Sequence, residues 1–320
     1  MARNSYGYGA YRGRGGSKIL KGIIVVLFVV LLISVAAFFY LPRYMVYADD
    51  GTVRLDLPFL REESPVASPT QAPVVVTPTP TPTPTKPETM LPVALPLEAL
   101  WDSSAAELVA EGGGNVALFD LKTDVGELMW VSESAMAIDH KATSGEPGRN
   151  EAILSGQKEG LYRVARLSCF RDGALGADEA YSILTNSGYR WKDQEEIRWS
   201  SPTNPAVRTY LAALCKEVSM LGFDEILLDH AGYPTQGHLS YIKKGAAYDA
   251  TQFESVITGF YQEVVNALEG SGVSLSVVFD AETAPLSGQS LTVLEELDIT
   301  PVTRGENGAF LWPTEKTADR

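Results

Sequence analysis

Residues 95–320 are predicted to fold as an α/β domain, a (β/α)8-type TIM barrel that is either incomplete at its C-terminus or closed by residues 309–312. Three observations predict it. Short, nearly continuous apolar runs alternate with amphipathic helical stretches, the pattern of a parallel sheet covered by helices. Carboxylates and other polar side chains gather directly after those runs, at the edge where such a barrel keeps its chemistry. No glycine-rich phosphate fingerprint follows the first run, since Gly112, Gly113 and Gly114 precede a strand instead. The domain is predicted to be preceded by a single transmembrane helix and a Pro/Thr-rich stalk.

Five strands are legible, at 115–121, 163–170, 225–229, 274–279 and 299–302, with a weaker signal at 91–97. Two helices carry clear start and stop signals. In the first, over 204–221, Asn204 is a cap, Pro205 suits the first turn and Gly222 the stop; Val207, Tyr210, Leu211, Leu214, Val218 and Leu221 recur at spacings of three and four. The second spans 251–269, with Thr251 and Glu254 as a capping box and Gly270 at its end. A third helical stretch covers 291–297. Only 18 residues follow Val302, whereas a complete barrel takes about 250 residues, so the C-terminal end is short of material.

The preceding segments read as a tether. Residues 22–41 are 20 consecutive uncharged positions; as a helix they would reach roughly 30 Å, the thickness of a bilayer core. Lys18 and Lys21 precede the run and Tyr40 and Tyr44 sit at its far end. Residues 1–21 hold five basic side chains and no acid, which places that tail in the cytoplasm and the rest outside. A cleaved signal peptide is the competing reading, but the apolar run exceeds the ~7–15 residues of a signal core. Residues 42–94 form an extracytoplasmic stalk. Eight of the 23 residues from 65 to 87 are proline, favouring an extended polyproline II spacer of roughly 3.1 Å per residue.

Charge narrows the partners. The chain carries a net charge of −14, and residues 95–320 alone hold 17 basic against 34 acidic side chains. Such a domain is a poor partner for nucleic acid. The expected partners are a lipid bilayer through residues 22–41 and a polysaccharide or peptidoglycan at the C-terminal domain. His140, His230 and His238 lack metal-ligand spacing, and no cofactor is called for. Cys169 and Cys215 both lie in apolar elements, which predicts buried thiols.

Candidate site residues follow from the strand ends. Asp229 ends the run EILLD and suits a nucleophile or general base. Glu282, or Asp280 at the exit of the next strand, could serve as the acid that protonates a leaving oxygen. Asp120, Lys122 and Arg166 could line the site. Trp191, Trp199 and Tyr233 could stack on sugar rings, with His230 beside Asp229.

These residues carry a resemblance. Asp120-Leu121-Lys122 with Asp124 and Gly126, Arg166 with Phe170-Arg171-Asp172, Trp191-Lys192-Asp193, Trp199, Pro202 and the block 222–229 (GFDEILLD) with Tyr233-Pro234 together resemble the glycoside hydrolase domain family of bacterial envelope proteins. That family is long catalogued as a domain of unknown function and is related to TIM-barrel glycosidases. The resemblance implies a barrel, a polysaccharide ligand and Asp229 as the leading catalytic candidate. It also marks departures: Gly232 stands at an arginine position, Val277 at an aspartate position, and 300–304 lacks the family's Pro-Met-x-Tyr-Pro type segment. Two functions follow, a membrane-anchored glycosidase or an inactive glycan-binding or scaffold module on the same barrel.

Overall fold

The structure, a computed structural model, describes residues 85–156 and 160–314, the strand segments 45–47 and 53–55, and Ile24 and Leu27. The predicted cytoplasmic tail, the membrane run 22–41 apart from those two residues, and the proline-rich part of the stalk lie outside the described residues. Among the described residues no helix is long and apolar enough to cross a membrane. The chain divides into two compact units, 1–76 and 77–320. In the first, β1 (Met45–Tyr47) pairs antiparallel with β2 (Val53–Leu55).

The second unit is a seven-stranded sheet with helices between its strands. In order across the sheet run β3 (Pro92–Ala94), β4 (Val116–Lys122), β5 (Tyr162–Ser168), β6 (Glu225–Asp229), β7 (Ser274–Val278), β8 (Thr300–Arg304) and β9 (Phe310–Leu311). Strands β3 to β8 are parallel, each hydrogen-bonded to the next in sequence. β9 is antiparallel to β8. Among the described residues the barrel thus stops at seven strands, short of a full eight, with residues 310–311 added as an antiparallel last strand. A parallel partner needs a crossover of a dozen or more residues; here β8 ends at Arg304 and β9 begins at Phe310, joined by a tight turn in which Gly305 N–H donates to Ala309 O at 2.8 Å.

Alternation along the strands sorts the two sheet faces. On the outer face Phe119, Leu121, Ala165, Leu167, Ile226, Leu228, Leu275 and Val277 pack against the helices in one large core. That core includes residues of α4 (Pro205–Ser219) and α5 (Phe253–Leu268). On the inner face Val116, Leu118, Tyr162, Val164, Leu227, Val302 and Phe310 share a second cluster with Met90 and Trp312. Residues from both halves of the sheet meet there, so the sheet is curled into a nearly closed barrel. Glu225, fully buried on the inner face, is the meeting point at the strands' N-terminal end. It accepts from Tyr162 Oη (2.9 Å) and Trp312 Nε1 (2.6 Å) and pairs with Lys86 Nζ (2.8 Å).

Helix ends follow the sequence for α4: Asn204 accepts from Ala206 N–H at 3.0 Å, and Gly222 has φ +81°. The capping box expected of Thr251 and Glu254 does not form. A 3-10 turn, Ala250–Gln252, precedes α5, and Asp249 caps it by accepting from Thr251 N–H at 3.0 Å. Short helices α1 (Ala105–Glu111), α2 (Ala135–Asp139), α3 (Arg149–Ser155) and α6 (Ala284–Ser287) complete the layer with α7 (Leu291–Glu296). Both cysteines are buried and free.

Candidate functional site

The C-terminal ends of β4, β5 and β6 converge on one guanidinium, and β8 brings a second to Asp229. Arg166, inward-facing on β5, donates from Nε to Asp229 Oδ2 (2.8 Å), from Nη1 to Asp120 Oδ1 (2.8 Å) and from Nη2 to Asp124 Oδ1 (2.7 Å), and its Nη2 also forms an ion pair with Asp229 Oδ2 at 2.7 Å. Asp229 sits deepest, with its side chain 2% exposed. Its Oδ2 also accepts from Arg304 Nη2, and its Oδ1 accepts from the backbone N–H of His230 at 2.9 Å. Oδ2 is thus shared by two guanidiniums, and Oδ1 accepts the one backbone bond. Above it, Asp120 is half exposed, and Asp124 is shared between Arg166 and Arg171. Arg171 extends the network outward to Asp193 (2.7 Å) and Glu195 (2.6 Å).

Local chain geometry places these groups. Asp124 rides on a turn closed by Gly126 N–H to Thr123 O (3.0 Å). Gly126 has φ +94°, and a Cβ there would lie 2.2 Å from Asp172 Oδ1, so the turn admits only glycine. His230 is held at φ +49°, an uncommon conformation for a side-chain-bearing residue. Its Nε2 lies 3.8 Å from both Asp124 and Asp229, and its ring meets Trp199 edge-on at 5.5 Å. Gly232 is closely packed: a Cβ there would meet Ser287 O at 2.8 Å. The departure from arginine therefore sits where this fold has no room.

Electrostatics separates the carboxylates. Burial alone would raise Asp229, but the charges of His230, Arg166 and Arg304 outweigh it and hold the carboxyl well below its ordinary range. For Asp120, burial dominates over the Arg166 charge, and its affinity for a proton is raised. For Asp124, burial is opposed by Arg166 and His230, and the net shift is downward. Burial lowers His230 despite its two aspartate neighbours.

The other sequence candidates lie apart from this cluster or serve packing. A register shift between Asp120 and Lys122 turns Lys122 to the helix-covered face. There it is fully buried, donating to Ser168 O (2.7 Å) and pairing with Asp172 (2.7 Å). Tyr233 is buried in the core, stacked on Phe253 at 3.6 Å, with its hydroxyl 2.6 Å from Thr203 Oγ1. Trp199 is buried and donates to Asp193 at 3.0 Å. Asp280 is exposed and shapes the turn into α6, accepting from Glu282 N–H (2.9 Å) and Thr283 Oγ1 (3.0 Å). Glu282 is exposed on that turn. Among the described residues no hydrogen bond or ion pair joins either acid to the Asp229 cluster. Arg304, absent from the sequence candidates, is the residue that completes the cluster; it lies two residues past the run read as a strand, and no local signal marked it. Its guanidinium lies 4.6 Å from the centre of the Phe310 ring.

Residues 101–295 match the family described as "Putative glycosyl hydrolase domain". The chain belongs to that family, and the resemblance read from the sequence holds. No curated protein matches. Similar solved structures include a hypothetical protein from Ruminiclostridium thermocellum, at 20% identity and TM-score 0.47, covering 58% of this chain and 96% of that one. Another is the PgaB (BpsB) glycoside hydrolase domain from Bordetella bronchiseptica, at 12% identity and TM-score 0.45, covering 68% and 74%. A third is the GH20 exo-β-N-acetylglucosaminidase from Vibrio harveyi, at 11% and 0.45, covering 68% and 38%.

Proposed function

We propose that residues 95–320 are a polysaccharide-binding module on a glycoside hydrolase barrel, held outside the cell by the anchor at 22–41 and the proline stalk, and facing a cell-envelope or extracellular glycan such as peptidoglycan. The observation that carries this reading is the occupancy of Asp229. A nucleophile or base needs a lone pair free to reach carbon or water. Here two guanidiniums hold Oδ2 and a backbone N–H bonds Oδ1, on a side chain almost wholly withdrawn from solvent. What remains accessible is the layer above: half-exposed Asp120, Asp124 and Arg304, held rigid by shared ion pairs. Fixed acceptors and donors of this kind suit sugar hydroxyls, because little side-chain entropy is lost on binding.

One observation favours hydrolysis as a second reading. Asp120 and Asp229 face one guanidinium and shift in opposite directions, the division of labour expected of an acid and its ionised partner. A single experiment separates the two. The full chain is titrated with a glycan panel and with peptidoglycan fragments, and reducing-end release is followed in parallel. The binding reading predicts affinity that drops at least about tenfold in Asp120→Asn, with no release of reducing ends. Release abolished by Asp120→Asn and by Asp229→Asn would establish the hydrolase instead. Binding to no member of the panel, with no release, would sink both.

A further inference from the structure

We infer that the same rim carries a second subsite that selects anionic glycans, those whose sugars bear a carboxylate or phosphate; this rests on the glycan-binding reading and names its ligand class. A pocket of about 580 Å³ opens between the β5–α4 and β6–α5 loops, both of which leave C-terminal strand ends. None of the Asp229 cluster lines it.

Its charged lining is Lys243, Lys244 and Glu179, all exposed. The lysines are the exception in a domain with twice as many acids as bases. Neither makes an ion pair among the described residues, and Lys244 Nζ stands 5.7 Å from the centre of the Tyr248 ring in the pocket wall. Two neighbouring polar side chains are already engaged. Thr203 Oγ1 bonds Tyr233 Oη and Ala247 O, and Asn204 bonds Ala206 N–H and Ala180 O. Lys243 and Lys244 are the cations of the lining against one acid, Glu179, and with the hydroxyls of Ser201 and Tyr248, unbonded among the described residues, beside them an anion is what they would select.

A flat aromatic surface adjoins the pocket. Tyr241 is 60% exposed, with its ring stacked on His238 at 5.1 Å and 20° between planes. Tyr189, 74% exposed, lies in the adjoining turn, where Asn186 N–H donates to Tyr241 O. Exposed aromatic faces of this kind match the apolar faces of pyranose rings and lose little entropy on binding. A buried tryptophan wall connects this surface to the first cluster. Trp191 donates to His238 O (3.1 Å) and meets Trp199 edge-on, and Trp199 meets His230. A polymer lying along the rim would meet the aspartate–arginine layer, the aromatic surface and the lysine pocket.

The test is calorimetric titration of the full chain with oligogalacturonate, phosphomannan fragments and neutral chito-oligosaccharides, repeated with the double variant Lys243→Ala/Lys244→Ala and with Tyr241→Ala. The expected result is a preference for an anionic oligosaccharide that weakens with salt and falls at least about tenfold in the double variant. Neutral binding should be unchanged by the lysine replacements and reduced by Tyr241→Ala. Lysine-dependent binding of either anionic ligand supports the subsite and identifies the anion. Equal binding of charged and neutral ligands, or anionic binding indifferent to the lysines, overturns it while leaving the glycan-binding reading in place. Absence of all binding removes both.

Discussion

Strand β6 carries a buried inward carboxylate at each end, and the two have different neighbours. At the foot, Glu225 is bonded by Tyr162, Trp312 and Lys86. Two of these come from the first and last described segments of the barrel unit, so Glu225 ties the ends of the sheet together. At the rim, Asp229 is bonded by arginines of β5 and β8, and the β5 arginine, Arg166, continues to half-exposed Asp120 and partly exposed Asp124. A carboxylate in the same strand therefore does two jobs. A buried acid bonded mainly by neutral donors closes the barrel. One embedded in a charged lattice that opens to solvent presents a surface. The difference teaches that burial of a strand-end acid is not itself a catalytic signature; its partners' remaining contacts decide what it does.

The comparison is tested most severely at Arg166. Replacing it with Met leaves Asp229 buried with one guanidinium fewer and sets three aspartates facing each other. Removing one partner of such a buried arrangement costs about 3–5 kcal/mol. All five tryptophans lie within 95–320, so urea unfolding followed by tryptophan fluorescence reads this domain alone. A cost below about 1 kcal/mol would mean that the rim lattice does not hold the barrel mouth.

A smaller effect is expected at the foot. Glu225→Gln keeps the shape and one acceptor oxygen while losing the charge that pairs with Lys86. That lysine is more than a third exposed, so the ion pair adds little. The main loss is in the Tyr162 and Trp312 hydrogen bonds, about 1–3 kcal/mol together. Glycan affinity should stay at the level of the unaltered chain. If Glu225→Gln weakened binding as much as Asp120→Asn, the division between a closing end and a presenting end would fail.

How much of this was legible in the sequence follows from how local each cause is. β6 was readable to the residue, because four apolar or flanking positions end in an acid just after a glycine helix stop. β4, β5 and β7 were placed within one or two residues for the same reason. The short helices α1, α2 and α3 have seven residues or fewer, too few turns to establish a periodicity. Lys122 looked like a rim residue because alternation alone aims it inward; the irregular register at Asp120/Lys122 reverses that, and register irregularities leave no reliable mark in a single strand. Arg304 could not be assigned because its partner is 75 positions away, and only closure of the sheet brings β8 to Asp229. Tyr233 and Trp199 show the opposite limit. An aromatic beside an acid reads equally as a sugar platform or as core, and packing of α5 and the β5–α4 loop makes them core.

The finest distinction within the rim is in proton affinity, and it carries the smallest predicted effect. Asp229 lies below the ordinary aspartate value of about 3.9, so its contribution to stability is present above that value and lost as pH falls through the lower folded-state one. Asp120 shifts the other way. Its folded form holds the proton more tightly, so its contribution is greatest below about 3.9 and declines as pH rises through the raised folded-state value. Carboxyl NMR titration should therefore find Asp120 ionising after Asp229. Asp120→Asn should remove a shallow loss of stability above pH of about 4, and Asp229→Asn should remove an acid-side loss below it. The Asp120 effect is small because that side chain is half solvated and its interactions are screened. If the two titrated in the reverse order, the guanidinium could not be holding the deep carboxylate ionised, and Asp229 would regain the freedom that a catalytic role requires.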